Sequence, residues 1–208
     1  MSVRLPLMSM ALALPDMEVQ FRPNAKGKPV IFRSGDTALL LTTWQFAIGQ
    51  REHTVLRRPT GTRRDLWALE PMEGGLGLFA IRNVASQRYL TVSRPGRGAW
   101  TELRQDPRHE GAQWQFFLRA SAQSDGRAHM LVKNHAHQTY LNVKGGQFQD
   151  GQWVHMWDSC PDSDHSLWLL AVTMHDPPPT KALPAIPERQ TEDEMEPGTG
   201  RASGSLLD

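Results

Sequence analysis

The chain has a single cysteine, Cys160, in 208 residues. No intrachain disulfide can form, and this leans toward a reducing, cytoplasmic setting, with secretion as the alternative. Charge of either sign is not in excess: the formal net charge is +1. No global field therefore steers the protein to nucleic acid or to an anionic membrane. No apolar run is long enough to span a bilayer. There is no 3.6-residue amphipathic stretch of useful length, so helix is not the expected framework. Also missing are a nucleophile–base pair, a Gly-rich phosphate loop and a paired-acid site, so the sequence offers no catalytic residues and implies no cofactor. Cys160 has His155 and His165 near it in sequence, but no group that would orient them as a catalytic pair.

What is present is a repeat. The stretch Leu131–Leu170 holds four short apolar-rich runs separated by polar turns, the pattern of four strands with one buried face each. The same order recurs twice upstream. Arg33, Arg82 and Lys133 are 49 and 51 residues apart, and Leu41, Leu90 and Leu141 have the same two spacings. Each copy closes on a tryptophan: Trp67, Trp114 and Trp168. A fixed period with two anchors in register predicts a repeat architecture. One four-stranded unit cannot bury its own apolar face; three units around a pseudo-threefold axis can share a core. The closing tryptophans, Leu41, Leu90, Leu141, Leu56, Leu103 and Met156 are expected to fill that core, each contributing on the order of 1.5–3 kcal/mol. Closing the body removes long exposed sheet edges.

The motifs Ile81-Arg82-Asn83…Tyr89-Leu90-Thr91-Val92…Trp114 and Val132-Lys133-Asn134…Tyr140-Leu141-Asn142-Val143…Trp157-Asp158…Trp168 resemble the repeat of the ricin B-chain type β-trefoil lectins. The resemblance covers residues 28–175. It departs from the family's closing Gln-x-Trp in all three copies, where Asp65, Ala112 and Ser166 stand in place of Gln. It implies an all-β fold, a β-trefoil of three four-stranded repeats at about 28–73, 77–122 and 128–173. Residues 1–27 are expected to form a flexible N-terminal arm. Residues 176–208, rich in proline, acids, glycine and serine, cannot bury enough apolar surface to order and are expected to be a disordered tail. Met1–Pro15 is apolar, but Arg4 is its only early charge and Pro6 interrupts it. It reads as a strand or arm, or a disordered start, with a signal peptide as the lesser alternative.

Sugars are held by aromatic stacking and by directed hydrogen bonds to their hydroxyls. Carried onto the third copy, the family pattern places Asn142 at the position of the acid and His155 at a polar position. It places Trp157 at the stacking position and His165 near the family Asn, with Asp158 or Asp162 as the remaining carboxylate. The other reading of Trp157 is a packing residue. Thr91 and Thr42 replace the acid in the other copies, so at most one working pocket is expected. The resemblance then implies a non-enzymatic lectin whose partners are glycans or glycoproteins, without nucleic acid or membrane insertion. A homodimer through the arm or a face of the body would add avidity. The rival reading is a β-trefoil that has lost sugar binding and engages proteins, protease-inhibitor fashion, through the Arg94–Gly98 and Gly145–Gly151 loops. Two further clusters have bland readings. His135-x-His137, with His129 or Asp150, could clasp a metal or be loop histidines; no metal site is assigned. Arg51, Arg57, Arg58, Arg63 and Arg64 could bind an anion or be a solvated face.

Overall fold

The computed structural model describes residues 19–21, 23, 27–35, 37–45, 52–73, 77–119, 129–158 and 164–173. The remainder of the expected arm and all of the expected tail lie outside these residues, as do Cys160 and Asp162. Thirteen strands and four single 3-10 turns are present, with no α-helix among the described residues. No described helix is long and apolar enough to cross a membrane.

β1 (Val19–Phe21) is an added strand on the edge of β9. The other strands fall into three sets of four. These are β2 (Val30–Ser34), β3 (Leu40–Gln45), β4 (Glu52–Arg57) and β5 (Trp67–Pro71); β6 (Phe79–Asn83), β7 (Tyr89–Val92), β8 (Thr101–Arg104) and β9 (Trp114–Arg119); and β10 (His129–Asn134), β11 (Tyr140–Val143), β12 (Val154–Trp157) and β13 (Trp168–Val172). The first and fourth strands of each set close a six-stranded barrel: β2 pairs β5, β5 pairs β6, β6 pairs β9, β9 pairs β10, β10 pairs β13, and β13 returns to β2. The second and third strands form three hairpins that cap one end. This is the expected β-trefoil, and the degenerate first copy folds like the others.

Equivalent hydrogen bonds fix the repeat register. The indole Nε1 of Trp67 donates to Leu41 O at 3.0 Å, that of Trp114 to Leu90 O at 2.9 Å, and that of Trp168 to Leu141 O at 3.0 Å. All six residues are fully buried. A buried indole N–H needs an acceptor, and each finds it on the second strand of its own repeat. Leu56, Leu103 and Met156 join them in one core, whose centre is packed by Phe32, Phe79 and Phe116.

The Asn ending the first strand staples neighbouring repeats. Asn83 Nδ2 donates to Arg64 O and Leu66 O, and its Oδ1 accepts from Ala85 N and Ser86 N. Asn134 repeats this with Gly111 O, Gln113 O and His137 N. In the first copy Ser34 stands there; it is buried and its hydroxyl has no hydrogen-bond partner among the described residues.

At the hairpin cap the three repeats meet on one side chain. Thr101 Oγ1 donates to Val154 O at 3.0 Å. A hydroxyl has one proton, so its short contact with Thr54 Oγ1 is donated by Thr54. This junction fixes β12 against β4 and β8, and β12 carries the candidate site.

Candidate functional site

In the third repeat, an open hollow of about 520 Å³ is lined by Asn142, Lys144, Gly145, Gly146, His155, Trp157 and His165. Its residues come from β11, the 3-10 turn Lys144–Gly146, β12 and the 3-10 turn Asp164–Ser166. Register explains the grouping. Asn142 pairs with His155 and Tyr140 with Trp157 across the β11–β12 hairpin. Residues two apart share a face, so His155 and Trp157 stand side by side.

Asn142 and His155 are 6% and 7% exposed, so they form the floor. His155 Nε2 lies 3.3 Å from Asn142 Oδ1; an amide oxygen only accepts, so Nε2 carries the proton. Burial pushes the His155 pKa down, and the nearby Lys144 cation pushes it the same way. The imidazole is therefore neutral at pH 7. Its ring lies 5.4 Å from the Trp157 ring.

Trp157 is half-buried, not sealed in the core. The Arg97 guanidinium sits 4.7 Å over its ring. Arg97 is held there by a two-point pair with Asp158, at 2.9 and 3.1 Å. Asp158 is thus committed to Arg97 and is not among the residues lining the hollow. The loop bearing Arg97 is fixed to β12: Gly98 N donates to Met156 O, and Met156 N to Ala99 O, both at 2.8 Å.

His165 forms the opposite wall. Phe148 meets its ring edge-on at 5.6 Å. Gly146 backs it so closely that a Cβ there would lie 2.1 Å from His165 Cε1. Gly146 also has φ of +65°, which side-chain-bearing residues rarely adopt. Lys144 is anchored through its backbone: its N–H donates to Trp153 O at 2.9 Å, and its carbonyl accepts from Gln152 Nε2 at 2.5 Å. Its ammonium lies 4.7 Å over the Trp100 ring.

Four of the five residues expected from sequence, Asn142, His155, Trp157 and His165, therefore line one hollow, and Asp158 does not. Lys144, Gly145, Gly146 and Arg97 were missed. The Lys-Gly-Gly run directly after the second strand was the available signal for the first three. Arg97 comes from the previous repeat, and only the fold brings it to Trp157.

The equivalent positions elsewhere are filled differently. In the second repeat, Thr91 pairs with Glu102 and Tyr89 with Arg104, so a guanidinium stands where the third repeat has its indole. Arg104 bonds Glu102 Oε1 at 2.6 Å and lies 2.9 Å from His109 Nε2. In the first repeat Arg57 takes the indole's position. It lies 4.3 Å over Trp44 and 3.5 Å from Asp150. Asp150 also accepts from Arg58 N, and its carboxyl is held below the usual range by that bond and by Arg57. Asp150 is thus engaged away from His135 and His137. No group of three or more His, Cys, Asp or Glu among the described residues is placed to hold a metal ion.

Fold and site together define a β-trefoil with one aromatic-lined hollow in its third repeat. Residues 44–157 match the family model of the ricin-type β-trefoil lectin domain-like proteins, and the chain belongs to that family. No curated protein matches it in sequence. Among solved structures, it resembles the designed 3-fold symmetric protein ThreeFoil at 18% identity and TM-score 0.59, over 70% of this chain and 99% of that one. The Polyporus squamosus lectin follows at 13% identity and TM-score 0.55, over 70% of this chain and 49% of that one, so the chain spans about half that lectin's length. The Macrolepiota procera ricin B-like lectin in complex with lactose matches at 11% identity and TM-score 0.54, over 71% and 96%.

Proposed function

We propose that the protein is a non-enzymatic carbohydrate-binding lectin whose one glycan site is the third-repeat hollow. The observation that carries this reading is the convergence of Asn142, His155, Trp157 and His165 on a single open hollow that includes a half-buried indole. The indole offers an apolar surface for the C–H face of a pyranose. The amide of Asn142, the imidazole of His165 and the Lys144 ammonium offer directed polar contacts to its hydroxyls. The lactose complex of a structural neighbour supports the class of ligand, and family membership supports a binding role rather than catalysis.

The other two repeats are spectators in this reading. Their equivalent positions hold Arg104 paired with Glu102 and Arg57 paired with Asp150, so neither has an aromatic where the third repeat has Trp157. One shallow site binds at about millimolar strength, worth about 4 kcal/mol. Useful avidity then comes from several sites on one particle, as a homodimer would supply.

A glycan array with the wild-type chain and Trp157→Ala tests the proposal. Binding to a defined set of glycans, lost in the variant, is expected. An array without ligands, or unchanged binding by the variant, overturns it; protease inhibition by the same chain would then favour a protein-binding trefoil.

A further inference from the structure

We propose that the third-repeat hollow selects glycans bearing an anionic group, a carboxylate or a sulfate ester, and that Lys144 is the residue that pairs with it. This rests on the reading of the hollow as a glycan site and adds the class of glycan.

The argument starts from the charges in the wall. Lys144 is the one formally charged side chain among the described lining residues; Asn142, Trp157, the two glycines and the histidines complete the set. A hollow built for neutral sugars gains most from a carboxylate, because an ionised acid accepts strongly from sugar hydroxyls. Here the acid-bearing position of the second strand holds the neutral Asn142. The carboxylate next to Trp157, Asp158, is taken by Arg97 at two points. The exposed Asp164 precedes His165 but is not a lining residue.

Lys144 is also well placed. Both backbone polar groups are tied to the Gln152–Trp153 segment, so the residue starts from a fixed point. Its ammonium rests over Trp100 and makes no ion pair with a carboxylate among the described residues. An aromatic face holds a cation without neutralising it, so the charge stays available to a ligand. His155 does not compete for an anion, since it is neutral and donates to Asn142. The pyranose ring at Trp157 and an anion at Lys144 would then be two contacts of one ligand.

The test is a glycan array read with the full chain, Lys144→Gln and Trp157→Ala, its glycans grouped as neutral, carboxylate-bearing and sulfated. Charged glycans are expected to bind about 3- to 10-fold more tightly than their neutral parents, the range of one partly exposed charge-assisted contact. That margin, the ratio of charged to neutral binding within each variant, should vanish in Lys144→Gln and shrink in 0.5 M NaCl. A margin confined to one charged group identifies the source of the anion and supports the proposal. Equal binding of charged and neutral glycans, or a margin retained in Lys144→Gln, overturns this inference and leaves the glycan site standing. Loss of binding by Trp157→Ala across all three groups shows that the site is shared; no binding of any group overturns both readings.

Discussion

Replacing each closing tryptophan by phenylalanine, one at a time, probes the threefold body directly. Each substitution removes an indole N–H whose acceptor is a buried leucine carbonyl: Leu41, Leu90 or Leu141. A buried acceptor deprived of its donor costs about 1–3 kcal/mol. The smaller ring also leaves unfilled space in a core where all three indoles are fully buried, which adds about 1–2 kcal/mol at ~24 cal/mol per Å³ of residual cavity. Each variant should therefore lose about 2–5 kcal/mol. That is a large share of the ~5–15 kcal/mol by which a domain is stable. The three bonds have nearly equal lengths and equal burial, so the three losses should agree within about 1 kcal/mol. Urea denaturation, read as the shift in midpoint at constant slope, measures them. A near-neutral Trp67→Phe beside a severely damaged Trp168→Phe would refute the equivalence of the repeats.

Other consequences follow from single contacts. Asn134→Ala takes the side-chain partner from Gly111 O and His137 N–H, while Gln113 O keeps the His135 N–H at 2.8 Å, and should cost about 2–4 kcal/mol by the same denaturation. Gly146→Ala should push His165 out of the hollow's wall and strain the backbone, weakening glycan binding at least about 5-fold by titration. His155 is buried neutral, with its folded pKa below the ordinary 6.5. Its unfolded form therefore binds a proton first as pH falls, and stability drops progressively from about pH 6.5 down through the lowered folded pKa. Melting temperature against pH should show this loss, and His155→Gln should flatten it in that window.

The barrel was legible because its determinants are local in sequence and periodic: closing tryptophans, second-strand leucines and strand-ending asparagines recur in register. Even the degenerate first copy kept Trp67 and Leu41, which is enough to form the shared hydrogen bond. The grouping of residues around the hollow was legible where it follows strand register, as for Asn142, His155 and Trp157. It was not legible where it depends on repeats meeting. Arg97 reaches Trp157 only because the second-repeat loop bonds to β12. Asp158 was drawn out of the expected sugar-binding set by that same arginine. The Gly146–His165 contact depends on a positive φ, which the Lys-Gly-Gly run permits but does not by itself announce.

The chain has seven tryptophans, each with one indole N–H resonance. Titrating the labelled protein with a glycan selected on the array, and following those seven signals, tests the third-repeat site most directly. The Trp157 signal should move in proportion to occupancy, while those of Trp67, Trp114 and Trp168, bonded inside the core, stay still. A bound glycan that leaves the Trp157 signal in place, or that shifts a tryptophan elsewhere instead, would contradict the account.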